Sequence, residues 1–114
     1  MSRVIQAEEL ELRPGGTIKF EGADHGAEAS FFYVKSEPGA ESSPHQHPYA
    51  EIWIVVRGEV RFTVGGDSFV ASAGQVIVAP AEVPHAYRNV GAERLELIGI
   101  HPSPRVVQRE AGEP

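Results

Sequence analysis

The sequence predicts an all-β domain folded as an antiparallel barrel or sandwich, with little or no helix. Three observations carry this. Short runs of β-branched, aromatic and aliphatic residues recur at even spacing. Clusters of Gly, Pro, Asp and Asn punctuate them as turns. Helical patterning is nearly absent, since the one candidate, residues 5–12, is stopped by Pro14-Gly15-Gly16 and makes a short helix or turn at most.

Taken in order, residues 17–20 and 29–35 read as strands, and Glu37-Pro38-Gly39 turns the chain. Residues 51–56 alternate between two faces and form a strand, Arg57-Gly58 is a turn, and 59–64 is the next strand. Gly65-Gly66-Asp67 is a tight hairpin signal leading into 68–71. Residues 75–79, 85–89 and 94–100 complete the set, with Asn89-Val90-Gly91-Ala92 linking the last two. The chain reads as one domain over 1–114, with a core of about 15–102, an N-terminal arm over 1–14 and a polar, loosely held tail over 103–114.

Composition narrows the function classes. None of the 114 residues is cysteine, which removes disulfides, thiolate nucleophiles and cysteine-ligated zinc or iron–sulfur centres. The formal net charge is −6 and no Lys/Arg patch exists to neutralise phosphates, so nucleic acid is not an expected partner. The N-terminal stretch turns acidic within ten residues and is not read as a secretory leader. The longest apolar run, 52–56, is far short of the roughly 20 residues that span a bilayer. A soluble, cytoplasmic protein with no membrane partner is expected.

One cluster has metal-binding chemistry. His45 and His47 lie in Pro44-His45-Gln46-His47-Pro48, Glu51 follows, and His85 stands in Val83-Pro84-His85. Three neutral imidazoles and a carboxylate suit one divalent transition metal: Mn, Fe, Co, Ni or Zn. In a strand, residues two apart share a face with Cα atoms about 6.6 Å apart, whereas in a helix they diverge by about 200°. Glu51 is an even number of residues further on, which returns it to that face if the chain stays extended. His85 must arrive from another strand. His25, among Gly22, Asp24 and Gly26, reads as a loop histidine.

These segments resemble the two motifs of the cupins. The first motif is met at every fixed position: Gly39, five residues, His45-Gln46-His47, three residues, Glu51, six residues, Gly58. The second is met by Gly74, five residues, Pro80, then His85 and Asn89, with Glu82 standing where the motif has glycine. The resemblance spans Gly39 to Asn89 and implies a jelly-roll barrel of six to eight strands with the metal inside. It further implies that His45, His47, Glu51 and His85 are the ligands, that Gly58 serves a turn and that Asn89 serves a hydrogen bond.

Alternation extends the site: with Glu51 inward, Trp53 and Val55 follow, while His85, Tyr87 and Asn89 share a face. Trp53, Val55 and Tyr87 are the candidate pocket walls, joined by either Phe32 and Val34 or Phe31 and Tyr33. A metal-dependent oxygenase, specifically a dioxygenase, acting on a small oxygenated organic compound is the first expectation. An isomerase, epimerase or lyase for a sugar or keto acid is the second, with Tyr87, Glu82 and His101 as candidate proton-transfer groups. Non-catalytic binding of a small molecule is the third. Cupins often pair, so a homodimer is expected.

Overall fold

The computed structural model describes residues 3–110, so Met1, Ser2 and the last four residues of the expected tail lie outside it. Its strands in chain order are β1 (Ile18–Phe20), β2 (Ser30–Ser36), β3 (His45–Gln46), β4 (Glu51–Arg57), β5 (Glu59–Val64), β6 (Asp67–Ser72), β7 (Val76–Ala79), β8 (His85–Asn89), β9 (Leu95–His101) and β10 (Arg109–Glu110). Two five-stranded antiparallel sheets result, ordered β1-β2-β9-β4-β7 and β10-β3-β8-β5-β6. The fold is all-β. Among the described residues the only helical segments are two 3-10 turns, Ala7–Leu10 and Gly22–Asp24, of which the sequence signalled the first alone. None is long and apolar enough to cross a membrane.

Alternation builds the core. Along β4 Glu51, Trp53 and Val55 are buried while Ile52 and Val56 are exposed. Along β9 Leu95, Leu97, Gly99 and His101 face inward. These meet Val60, Phe62 and Ala71 from the opposite sheet in one shared cluster, which places the core between the sheets. The expected strand positions recur within a residue or two. The β5–β6 hairpin closes at Val64↔Asp67 around Gly65-Gly66.

The motif residues outside the ligand set are structural. Gly58 sits at φ 91°, and a Cβ there would meet the Arg94 carbonyl oxygen at 3.2 Å, so conformation and space both demand glycine. Asn89 is buried and donates through Nδ2 to the carbonyls of Ser36 (3.0 Å) and Glu93 (2.9 Å), while its Oδ1 accepts from the Gly91 amide. Glu82, in the glycine position of the second motif, adopts φ 64°, a left-handed conformation that costs a non-glycine residue about 1–2 kcal/mol.

The expectation of a loose tail fails over the described part of it. The Val106 amide donates to Glu21 Oε2 at 2.9 Å, Arg105 pairs with Asp24 at 2.8 Å, and Arg109 and Glu110 pair in register with Gln46 and His45. Backbone and charge contacts to remote residues hold this segment. Such contacts leave no apolar periodicity in the sequence.

Candidate metal centre

The β3–β8 register sets His45 directly opposite His85, so their imidazoles enter the interior side by side. His47, two residues on, returns to the same face. Glu51 arrives differently from the expectation of one extended chain. The backbone bends at Pro48 and Tyr49, leaves the sheet, and begins β4 in the opposite one, so Glu51 meets the histidines face to face. The four donor groups lie within 4.8 Å of one another, with His47, Glu51 and His85 buried and His45 half-buried.

Hydrogen bonds assign the tautomers. Nδ1 of His45 lies 2.9 Å from the Ser43 carbonyl oxygen, that of His47 2.8 Å from Val107 O, and that of His85 3.3 Å from Val83 O. A carbonyl only accepts, so each Nδ1 carries the proton and each neutral ring presents the lone pair of Nε2. The Nε2 atoms of His47 and His85 face Glu51 Oε1 at 3.0 and 3.1 Å. Lone pairs on neutral rings thus confront a buried carboxylate oxygen. Either protons or one cation must lie between them, and three nitrogen donors with one oxygen donor fit a divalent transition metal.

The charges agree with this. Burial alone would raise the Glu51 pKa, but with protons on the facing ring nitrogens of His101, His47 and His85 their contacts outweigh it and hold the carboxyl well below the usual carboxylate range, the role a bound cation would otherwise fill. Burial lowers the pKa of His45, opposed by its bond to Ser43 and reinforced by His85 and His47, which keeps the imidazole neutral and free to ligate.

A cavity of about 280 Å³ opens over His45, Glu51 and His101. Phe32 and Val34 supply one wall, which settles the β2 register, and Leu12, Trp53 and Tyr87 supply the others. Thr17, Ser42 and Gln108 are its remaining polar contacts, and among the described residues no Lys or Arg lines it. Burial, followed by the Glu51 charge, pushes the Tyr87 phenol up to about 12, so it keeps its proton.

Two sequence-predicted site residues lie elsewhere. Val55 is 1% exposed in the core with Leu95 and Leu97 and does not line the cavity, because it sits four residues deeper along β4 than Glu51. Glu82 lies outside, its carboxylate 58% exposed and 3.2 Å from Arg109 Nη2. The third proton-transfer candidate, His101, is at the centre. It is 1% exposed, and its Nε2 lies 3.1 Å from Glu51 Oε2, an oxygen with no aligned hydrogen bond of its own. His25, read as a loop histidine, follows the second 3-10 turn and stacks on Phe20 away from the site.

Gly99, Tyr49 and Val107 escaped the sequence reading. A Cβ on Gly99 would come within 2.5 Å of Glu51 Oε2 and 2.6 Å of Trp53 Cζ3, so the bare backbone of β9 is the space into which both side chains lean. The alternation of Leu95, Leu97, Gly99 and His101 on one face was the available signal for Gly99 and His101. None existed for Val107.

A family model described as "Cupin domain" matches residues 32–101. The polyketide synthase CurC of Streptomyces cyaneus is 32% identical over 108 residues, covering 90% of this chain and 70% of that protein. A mannose-1-phosphate guanylyltransferase of Salmonella montevideo is 32% identical over 89 residues, but the chain spans only 18% of it. Among solved structures, Bacillus subtilis oxalate decarboxylase, studied for its Mn(II) centres, superposes with a TM-score of 0.81 at 24% identity, covering 92% of this chain and 31% of that one. The Lactobacillus farciminis oxalate decarboxylase formate complex gives 0.74 at 23% identity, over 83% of this chain and 30% of that one. At these identities the likeness speaks to the fold.

Proposed function

The chain belongs to the cupin family, and from that premise we propose a metal-dependent dioxygenase for a small, uncharged, oxygen-bearing molecule with an apolar body. One divalent transition metal would be held by His45, His47, Glu51 and His85. The observation that carries the reading is the cavity: His45 and Glu51 of the four-donor cluster reach its floor, its walls are aromatic and aliphatic, and among the described residues no cationic side chain lines it to receive a phosphate or a dicarboxylate. The CurC relative is named a polyketide synthase, which supports a polyketide as the substrate class.

When bound, a divalent ion supplies Lewis acidity toward an enolate or carbonyl oxygen and redox partnership with dioxygen. The protein's own contributions are positional. Phe32 and Trp53 offer flat apolar surface that excludes water from the reacting face. The protonated Tyr87 hydroxyl can donate to a substrate oxygen. Glu51 brings the negative charge that offsets the cation.

A second reading has one observation in its favour. His101 and Tyr87 both carry protons at the cavity wall, as a metal-assisted isomerase or lyase would require. Protein purified without chelators or metal-affinity resin separates the two. A dioxygenase consumes oxygen stoichiometrically with a phenol or enol from a small panel and stops on chelation. Equal turnover under nitrogen overturns that reading in favour of proton transfer, and binding without product overturns both. Metal should also perturb the emission of Trp53, the only tryptophan, which is 3% exposed and lines the cavity.

For the partner we propose a second copy of the chain. Ile52, Val56, Val76 and Val78 are exposed together on the outer face of β4 and the edge strand β7. Light scattering should give twice the chain mass of 12.3 kDa, and a monomer at micromolar concentration refutes the pairing.

A further inference from the structure

We infer that Tyr49, His101 and the Val107 backbone form a hydrogen-bonded chain that positions two of the four metal ligands from the C-terminal segment. The inference rests on the metal centre proposed above. The chain runs from the Val107 amide through Tyr49 to His101. The Val107 amide can only donate, and it donates to Tyr49 Oη at 3.0 Å. Tyr49 Oη lies 2.7 Å from His101 Nδ1, and in the relay its hydroxyl proton points at that nitrogen. With Nδ1 as the acceptor, the ring proton of His101 sits on Nε2. His101 Nε2 lies 3.1 Å from Glu51 Oε2, a charge contact not aligned as a hydrogen bond, while Oε1 of the same carboxylate faces His47 and His85.

The carbonyl of the same Val107 accepts from His47 Nδ1 at 2.8 Å. One residue thus ends two lines of contact, one directly to His47 and one through Tyr49 and His101 to Glu51. Tyr49 adds a parallel stack on His47, with ring centroids 5.2 Å apart and planes 2° from parallel. The segment itself is pinned on both sides, by Glu21 to the Val106 amide and by the pairing of β10 with β3. Groups that hold ligands by hydrogen bonds orient them and raise their basicity, and their loss typically costs about 10–100-fold in metal affinity. His101 and Tyr49 are positioning residues in this sense, since their contacts run to Glu51 and to the backbone.

The test is Co(II) titration of the full chain, read by the visible spectrum and the dissociation constant, beside the melting temperature of the metal-free protein. His101→Leu should weaken Co(II) binding about 10–100-fold and shift its bands. His101→Gln, whose amide both donates and accepts, should restore most of the affinity. Tyr49→Phe keeps the stack on His47 but loses the relay, so it should weaken binding too. Combined with His101→Leu it should add nothing, because Tyr49 acts through His101. If His101→Leu does not fold, Tyr49→Phe, at a half-buried position, decides. Wild-type affinity in a folded His101→Leu or Tyr49→Phe protein, or strict additivity of the two, overturns the relay and leaves the metal centre standing. A wild-type protein that binds no Co(II), Mn(II) or Zn(II) overturns the centre and the relay together.

Discussion

Glu51→Gln is expected to lower divalent-metal affinity by at least about 100-fold, roughly 2.7 kcal/mol, while leaving the barrel folded. The substitution keeps the shape and removes the charge. Glu51 is 1% exposed and faces three imidazoles, so it is the sole anionic donor among the ligands. In the metal-free state the Gln amide can donate to a lone pair of His47 or His85, which protects the fold. Metal analysis after gel filtration reads the result. Unchanged stoichiometry would remove Glu51 from the ligand set.

The same variant carries a pH signature. The folded pKa of Glu51 is depressed, so its charge contributes stability that is present above the unfolded value of about 4.3 and lost as pH falls through the folded value. His45 is likewise depressed, so metal-free protein loses stability on acidification from about 6.5 downward as the unfolded chain takes up the proton first. Wild type should show both losses, and Glu51→Gln only the second. Melting curves between pH 7 and pH 3 distinguish them. Identical acid limbs in the two proteins would contradict the assignment.

Gly99→Ala is expected to cost about 1–3 kcal/mol of stability and weaken metal binding at the same time. The added methyl would stand 2.5 Å from Glu51 Oε2 and 2.6 and 2.8 Å from Trp53 Cζ3 and Cη2. Neither neighbour has room to retreat. Trp53 is 3% exposed and packs on Phe62 and Tyr87 at centroid distances of 5.8 and 5.5 Å, and Glu51 is held between two sheets. β9 cannot shift either, because Gly99 pairs with Phe32 on one side and Trp53 on the other. The melting temperature should fall by roughly 5–15 °C and Trp53 emission should change. A variant with wild-type melting and wild-type metal affinity would show that the close approach to β9 is dispensable.

The candidate metal cluster was legible because its spacing is local. His45 and His47 need only an extended backbone to share a face, and His85 begins a strand whose alternation is plain in the sequence. For Glu51 the even spacing pointed to the right face for the wrong reason, since Pro48 and Tyr49 carry the chain into the other sheet. Val55 shares the inward face of β4 with Trp53, as alternation says, but depth along the strand puts it in the core and not at the cavity. Alternation specifies a side, and it carries no information about distance from the site. Glu82 shows the complementary limit. Its place in the second motif is next to the ligands in sequence, yet its left-handed turn sends the carboxylate outward to Arg109.

The sequence by itself determined the all-β class, the positions of β1, β2 and β4 to β9 within a residue or two, the inward faces of β4 and β8, the absence of cysteine and the identity of the four candidate ligands. Each of these follows from composition or from a period of two, which is set by backbone geometry within a few residues. Tertiary structure alone decided that Glu51 opposes the histidines, that His101 faces its second oxygen, that Gly99 clears the space for it and that Val107 holds His47. Those contacts join residues as far apart as 52 and 60 positions, as between Tyr49 and His101 and between His47 and Val107. No local period encodes such pairs. They exist because two sheets close on one another and bring distant backbone and side-chain partners within hydrogen-bonding distance.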